Sequence, residues 1–338
     1  MTTLPGDAPA PDADFGQPSL PPVGTSAATA IQGRSLSRIA WDRLRRDRVA
    51  MAGGIFALSL IVAAVFAPVI VHFLGYPPDK TFNGLVDPSI GVPYGKFGGI
   101  STRHLLGVEP DSALQRDVFS RIVYGMRVSL LIATVASLLS MALGVLFGLL
   151  AGFFGGWTDA VISRVMDVFL AFPVLLFAIA LASVVQGRAF GLSGNTLHVS
   201  VIIFVIGFFA WPYMGRIIRG QVLSLREREF VDAARSLGAS NRRLLYREIL
   251  PNLLPSILVY GTLLLPTNIL FEAALSYLGV GIHPPTPSWG TMLTQAAASM
   301  QGDPTYLVVC GSTIFLTVLS FNLFGDGLRD AFDPKGHR

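Results

Sequence analysis

A chain of 338 residues with 52% apolar and only 14% charged side chains cannot clothe a soluble surface, since an ordinary soluble domain carries about 25% charged residues. Its lone cysteine, Cys310, excludes an intramolecular disulfide and a thiolate metal cluster. The net charge of +4 is small, and the arginines stand beside apolar runs, which favours a membrane surface over nucleic acid as the partner.

In chain order, residues 1–33 are rich in Pro, Ala and Gly. They lack the basic start and hydrophobic core of a cleavable signal, and read as a disordered cytoplasmic tail. Residues 34–48 set Leu36, Ile39 and Leu44 among arginines. Two readings stay open there: a short helix lying on anionic headgroups, or a plain basic flank that sets topology. A helix crosses the ~30 Å hydrocarbon layer in about 20 residues, and residues 49–74 are a first such run. Residues 75–127 form a long loop. A core at 128–326 then holds five further runs: Val128–Trp157, Val168–Gly187, Val199–Gly215, Ile249–Phe271 and Pro304–Gly325. Residues 327–338 are a short second tail. The apolar residues fill every face of these runs, as in lipid-spanning helices. Buried helices of a soluble protein are the alternative for any one run, but six leave too little polar surface to cover them. The predicted fold is therefore all-α, a polytopic membrane protein with six transmembrane helices.

Arginines set the orientation. Arg34, Arg38, Arg43, Arg45, Arg46 and Arg48 precede the first span, and Arg216, Arg219, Arg226, Arg228, Arg235, Arg242, Arg243 and Arg247 lie between the fourth and fifth. Arg329, Lys335 and Arg338 close the chain. Six crossings put all three regions on one side, predicted to be the cytoplasm of a cell with the chain in its plasma membrane and both termini inside. The loops at 188–198 and 276–303, outside, contain only Arg188 between them. The outer stretch 75–127 fits less well, holding Arg103, Arg116, Arg121 and Arg127, offset by acids including Glu109 and Asp117.

In the second span Ser140, Gly144, Gly148, Gly152 and Gly156 recur every four residues, a ridge of small side chains that lets another helix approach closely. It predicts packing, within the chain or between subunits. Catalytic constellations are absent. No G-x-x-x-x-G-K-[ST] loop is present to cradle ATP, no G-x-S-x-G elbow occurs, and the five histidines show no metal-ligand spacing. Glu272, at the outer end of the fifth span, is a costly carboxylate. It could line a translocation path or pair with a partner subunit, or simply close a helix contact. Asp167 is expected to pair locally with Arg164.

The informative segment is 221–251, between the fourth and fifth spans. Arg226–Leu237 is helical by composition, Gly238 can end it in a left-handed cap, and Asn241 can cap a second short helix running to Leu250. Pro251 and Pro255 follow, at the start of the fifth span. A polar helix held under a membrane needs water or a docked protein. An ordinary solvated basic loop is the plain alternative.

Asp232-Ala233-Ala234, Gly238 and Leu250-Pro251 resemble the E-A-A…G…I-x-L-P signature of importer permeases of the ATP-binding-cassette class. Asp232 replaces the usual Glu, and Ile249 directly precedes Leu-Pro. RDVFSRIVYGMRVSLL at 116–131, GFFGGWTD at 152–159, DVFLAFPVLL at 167–176, PPTPSWGTML at 284–293 and FNLFGDGLRDAFDP at 321–334 extend the resemblance to the dipeptide/oligopeptide permease family, as its second-permease, C-type subunit. Gly107-Val108-Glu109-Pro110 opens a stretch that departs from the family pattern, in the loop where an external binding protein would touch. The resemblance implies alternating access driven by two cytoplasmic ATPases docked on coupling segments, a related second permease, an extracytoplasmic substrate-binding protein and surrounding membrane lipid. ATP and Mg would sit on the partner ATPases and no cofactor on this chain. It also implies that Arg228, Asp232, Ala233, Ala234, Arg235, Gly238, Leu250 and Pro251 form the ATPase-coupling set, with di-/oligopeptides as substrate. Permeases for nickel chelates or other small solutes share the motifs, and a secondary transporter working without ATP is the reading from another class. A membrane enzyme fails for want of a nucleophile or metal set.

Overall fold

The computed structural model describes residues 36–184, 188–189 and 191–333. The tail expected over 1–33, the end of the third span at 185–187, and Lys335 and Arg338 lie outside these residues. What is described is helical apart from loops and one two-residue hairpin, Arg188–Ala189 with Leu192–Ser193.

Helix α1 (Leu36–Leu44) leads to α2 (Arg48–Val65), whose N-cap Asp47 accepts bonds from Val49 N and Ala50 N at 2.9 and 3.0 Å. The first span is not one helix to Leu74. It breaks at Phe66 and resumes as α3 (Ala67–Leu74), because Pro68 has no N–H to continue the ladder and is suited to a first turn. The second span, α4 (Val118–Phe154), starts ten residues before the predicted Val128. Charge-free length finds only the part that lipid can cover, whereas Arg121 continues the helix because protein surrounds it. Asp117 caps α4 by accepting Ser120 N at 2.8 Å, and Gly155 ends it at φ +66°.

The third span is displaced and broken. Helix α5 (Gly156–Ala171) and α6 (Val174–Val184) meet at Phe172-Pro173 with a bend of 75°. Proline cannot donate to the preceding turn, and the residue before it is pushed to extended backbone; Phe172 has φ −79° and ψ 130°. Phenylalanines 169, 172, 177, 204, 208 and 209 pack around the break. Helix α7 (Gly194–Leu225) runs through Pro212. The short α8 (Glu229–Ser236) precedes α9 (Asn241–Arg243), a π turn at Leu244–Ile249 and α10 (Leu250–Tyr277), which run on as one helix from Asn241 to Tyr277. A further helix, α11 (Trp289–Ala298), lies in the loop before α12 (Pro304–Phe332).

Among the described residues five helices are long and apolar enough to cross a membrane, with a sixth if the bent α5–α6 pair is one span. Packing decides whether the pair crosses. Leu44 and Ala50, at the start of the first span, are buried against Ala331, Leu328 and Phe332 at the end of the last, and Arg43 Nη1 donates to Asp333 O at 2.9 Å. The two ends share one face of the membrane, so the number of crossings is even and the bent pair is one of six.

At the opposite end the 75–117 loop closes on α4. Arg116 donates to Glu109 through Nε (2.7 Å) and Nη2 (3.1 Å), with Arg121 Nε at 3.8 Å from the same carboxylate, all buried. His104 Nδ1 lies 2.9 Å from Asp117. The arginines that strained the charge rule are thus partly neutralised inside the fold. The atypical stretch from Gly107 supplies the carboxylate that does it.

Candidate coupling site

Helix α8 hangs between the ends of two spans. Arg226 caps α7 and donates from Nη1 to Gly152 O at 3.0 Å, tying that corner to the end of α4. Glu229 and Asp232 stand in the first turn of α8 and Arg235 in its last, each sign matched to the helix dipole. Val231 is fully buried, in a cluster with Met214, Ile218, Leu244, Ile249 and Leu253. One apolar face therefore seats the helix against α7, the π turn and α10, and the rest faces outward.

Gly238 adopts φ +81°, where a side chain costs about 1–2 kcal/mol. Beside it Ala239 N closes on Ala234 O at 3.1 Å, the six-residue closure of a glycine-terminated helix. The next helix is capped by Ser240, whose Oγ accepts from Arg243 N at 3.4 Å, and not by the expected Asn241. That helix also does not stop at Leu250. It widens to the π register, with Leu250 N bonded to Leu245 O, directly before Pro251, whose ring would crowd a carbonyl four residues back in the α register. The segment is thus one short helix, a glycine turn and the foot of a long span, where two separate short helices were predicted.

Of the residues singled out, Arg228, Asp232, Ala233, Arg235 and Gly238 are exposed together. Arg235 Nη1 donates to Asp232 at 3.5 Å across the outer face. Ala234 is half-buried toward the core, and Leu250 packs in the same cluster, so these two hold the helix in place. Pro251 is exposed on the foot of α10, away from α8 in the chain. Sequence reasoning passed over Phe230 (40% exposed), Leu237 (89%) and Tyr246 (64%). An apolar side chain on the solvent face of a polar segment is the signal that could have found them. They add exposed apolar area to the polar segment, a mixture that suits a protein contact.

The small-residue ridge meets α7, within the chain. Ser140 Oγ donates to Gly207 O at 2.9 Å. A Cβ added at Gly144 would lie 2.6 Å from Met214 Cβ, at Gly148 2.7 Å from Gly215 O, and at Gly152 2.7 Å from Val222 Cβ. Gly156 does not belong to this ridge. The helix has ended at Phe154, Gly156 turns at φ +52°, and a Cβ there would touch nothing within 4 Å. Asp167 also differs from expectation: Arg164 is 3.9 Å away, but Arg216 of α7 is the closer partner. Asp159 of α5 likewise takes Arg219 of α7 through two bonds.

Glu272 is fully buried. Ser276 Oγ donates to it at 2.8 Å, and the hydroxyls of Ser129 on α4 and Ser288 before α11 lie close by. The structure thus buries this carboxylate in a joint between elements of its own chain. Glu272→Gln is expected to leave uptake within about twofold of wild type, whereas Glu272→Ala, which strands the Ser276 hydroxyl, costs about 1–3 kcal/mol. Thermal unfolding in detergent and whole-cell uptake read the two effects, and loss of uptake by a stably folded Gln variant would return a transport role to the carboxylate. Among the described residues no group of His, Cys, Asp and Glu is arranged to hold a metal.

Comparison with known proteins identifies the family of the chain. Residues 144–337 match the family described as the binding-protein-dependent transport system inner membrane component, and residues 35–87 match the N-terminal TM domain of oligopeptide transport permease C. The glutathione transport system permease protein GsiD of Escherichia coli is 41% identical over 296 residues, 87% of this chain and 89% of that protein. The dipeptide transport system permease protein DppC of Alkalihalophilus pseudofirmus is 36% identical over 324 residues, 95% and 98% of the two chains. A chain of the MetNI methionine ABC transporter aligns at 18% identity and a TM-score of 0.48, covering 62% of this chain and 95% of that one. With these matches spanning nearly all of its length, the chain belongs to the ATP-binding-cassette importer permeases of the peptide-transport family, membrane subunits that are not themselves enzymes.

Proposed function

We propose that this permease moves di- or oligopeptides into the cell by alternating access, with α8 as the element that two cytoplasmic ATPases act upon through this chain and a related second permease. An extracytoplasmic binding protein delivers the substrate, and ATP and Mg are held by the ATPases. The single observation that carries the reading is the outward face of α8. Phe230 and Leu237 stand exposed beside Arg228, Asp232 and Arg235, on a helix too polar to be covered by lipid and seated on the ends of α7 and α10. A push on such an element reaches two spans at once. The arginine-rich regions support placing α8 and both chain ends in the cytoplasm. The substrate class is supported by the names of the relatives, glutathione and dipeptide transport.

Cysteines placed at Asp232 and Leu237 in the assembled importer are expected to crosslink to a nucleotide-binding subunit, and to resist an impermeant thiol reagent added to intact cells. Capture of no such subunit, or labelling from outside, would remove the assignment. Competition of uptake by unlabelled dipeptides, against nickel chelates, tests the substrate class.

A further inference from the structure

At the end of the bundle where α1 meets α12, α2 and α12 do not close against each other along their outer side. Gly54 lies on the ring of Phe324, so near that a Cβ there would come within 2.6 Å of it. Beside this contact a furrow of about 320 Å³ runs between Ile55, Leu58 and Ile61 on one wall and Phe321 and Phe324 on the other, with Trp41 at one end. Its lining is apolar, and it follows α2 from Met51 to Ile61, ~15 Å at the helical rise. Leu58 and Ile55 are 60% and 62% exposed, so the furrow opens sideways, toward lipid.

Its mouth is basic. Trp41 is half-exposed, and the Arg45 guanidinium stands 5.4 Å above its ring, the amphipathic ring that marks a membrane-water boundary. Arg38, Arg46 and Arg48 are also exposed around the α1–α2 corner. Two acids lie among them, Asp42 and Asp47, and Asp47 spends its carboxylate on the N-cap of α2. Cationic side chains therefore outnumber acids where an apolar channel meets the membrane surface.

We propose that this furrow binds one anionic phospholipid, with an acyl chain between Leu58 and Phe324 and its phosphate at Arg45 and Arg48. An apolar slot continuous with a cluster of arginines fits a ligand that is hydrocarbon at one end and anionic at the other. A phospholipid of the adjoining leaflet is the amphiphile that reaches such a slot sideways. The site stands apart from α8 and does not depend on the transported solute.

The test is native mass spectrometry of the assembled importer, delipidated in detergent and titrated separately with phosphatidylglycerol and phosphatidylcholine. Wild type is expected to hold one phosphatidylglycerol at least about tenfold tighter than phosphatidylcholine. Each arginine near the surface contributes about 1 kcal/mol, so Arg45→Ala with Arg48→Ala together weaken phosphatidylglycerol by about 25-fold and phosphatidylcholine far less. Leu58→Trp fills the slot from a lipid-facing position, without disturbing a buried contact, and is expected to weaken both lipids. Equal binding of the two lipids by wild type, or undiminished phosphatidylglycerol binding by either variant, would overturn the proposal. So would a Leu58→Cys crosslink in native membranes to another protein chain, which would show a protein in the furrow.

Discussion

Gly238→Asp is expected to abolish ATP-dependent uptake while the protein stays in the membrane at its normal level. The residue turns at φ +81°, and a Cβ there meets nothing within 4 Å, so the folded chain has room for the new side chain. The backbone penalty is about 1–2 kcal/mol, and Asp tolerates the left-handed region better than most residues. A cost of that size at an exposed turn cannot unfold six packed spans. What the substitution changes is the surface beside Asp232 and Leu237, where it adds bulk and a second negative charge. Gly238→Ala pays at least that backbone cost without the charge and should retain measurable uptake. The checks are radiolabelled peptide uptake, membrane abundance by immunoblot, and ATPase stimulation in the reconstituted importer. Wild-type uptake by the Asp variant would sink the coupling assignment.

The second large effect is expected at Gly148. On helix propensity alone, Gly→Ala in a helix interior stabilises by about 1 kcal/mol. Here a Cβ would fall 2.7 Å from Gly215 O and 2.8 Å from Ile218 Cβ, and a backbone carbonyl on a packed helix cannot step aside. Overpacking costs about 1–3 kcal/mol or more, so the packing term decides the sign and Gly148→Ala is destabilising. Gly148→Val should prevent recovery of monodisperse protein. Gly220 on α7 supplies the control, since a Cβ there meets nothing within 4 Å, and its replacement by Ala should leave unfolding unchanged or raised. Thermal unfolding in detergent compares the two alanine variants with wild type, and size-exclusion chromatography reads the valine variant. A Gly148→Ala protein that melts at or above wild type would show that the ridge does not pack as tightly as α4 and α7 are placed.

Much of this was legible in the residues because the bilayer asks a simple question of a sequence: where are twenty residues without charge. Six such runs, the Ser140–Gly152 period and the Gly238 turn all follow from local chemistry that acts wherever the chain goes. Contacts between distant residues are a different matter. That α5 and α6 bend at Pro173 by 75° while α10 continues through Pro255 and Pro266 depends on neighbours, since the same missing N–H is tolerated in one helix and breaks another. The residue order puts Glu109 in the same outer loop as Arg121 but does not set it 3.8 Å away, and it leaves Glu272 open between a path, a partner and a helix contact, whereas packing buries it against Ser276. The amino-acid order by itself determined which segments enter lipid, and that one polar stub must be met by water or protein. Tertiary packing alone decided which charges are neutralised inside and which side chains of the stub face out, because a charge's cost and a residue's exposure are set by groups far away in the chain.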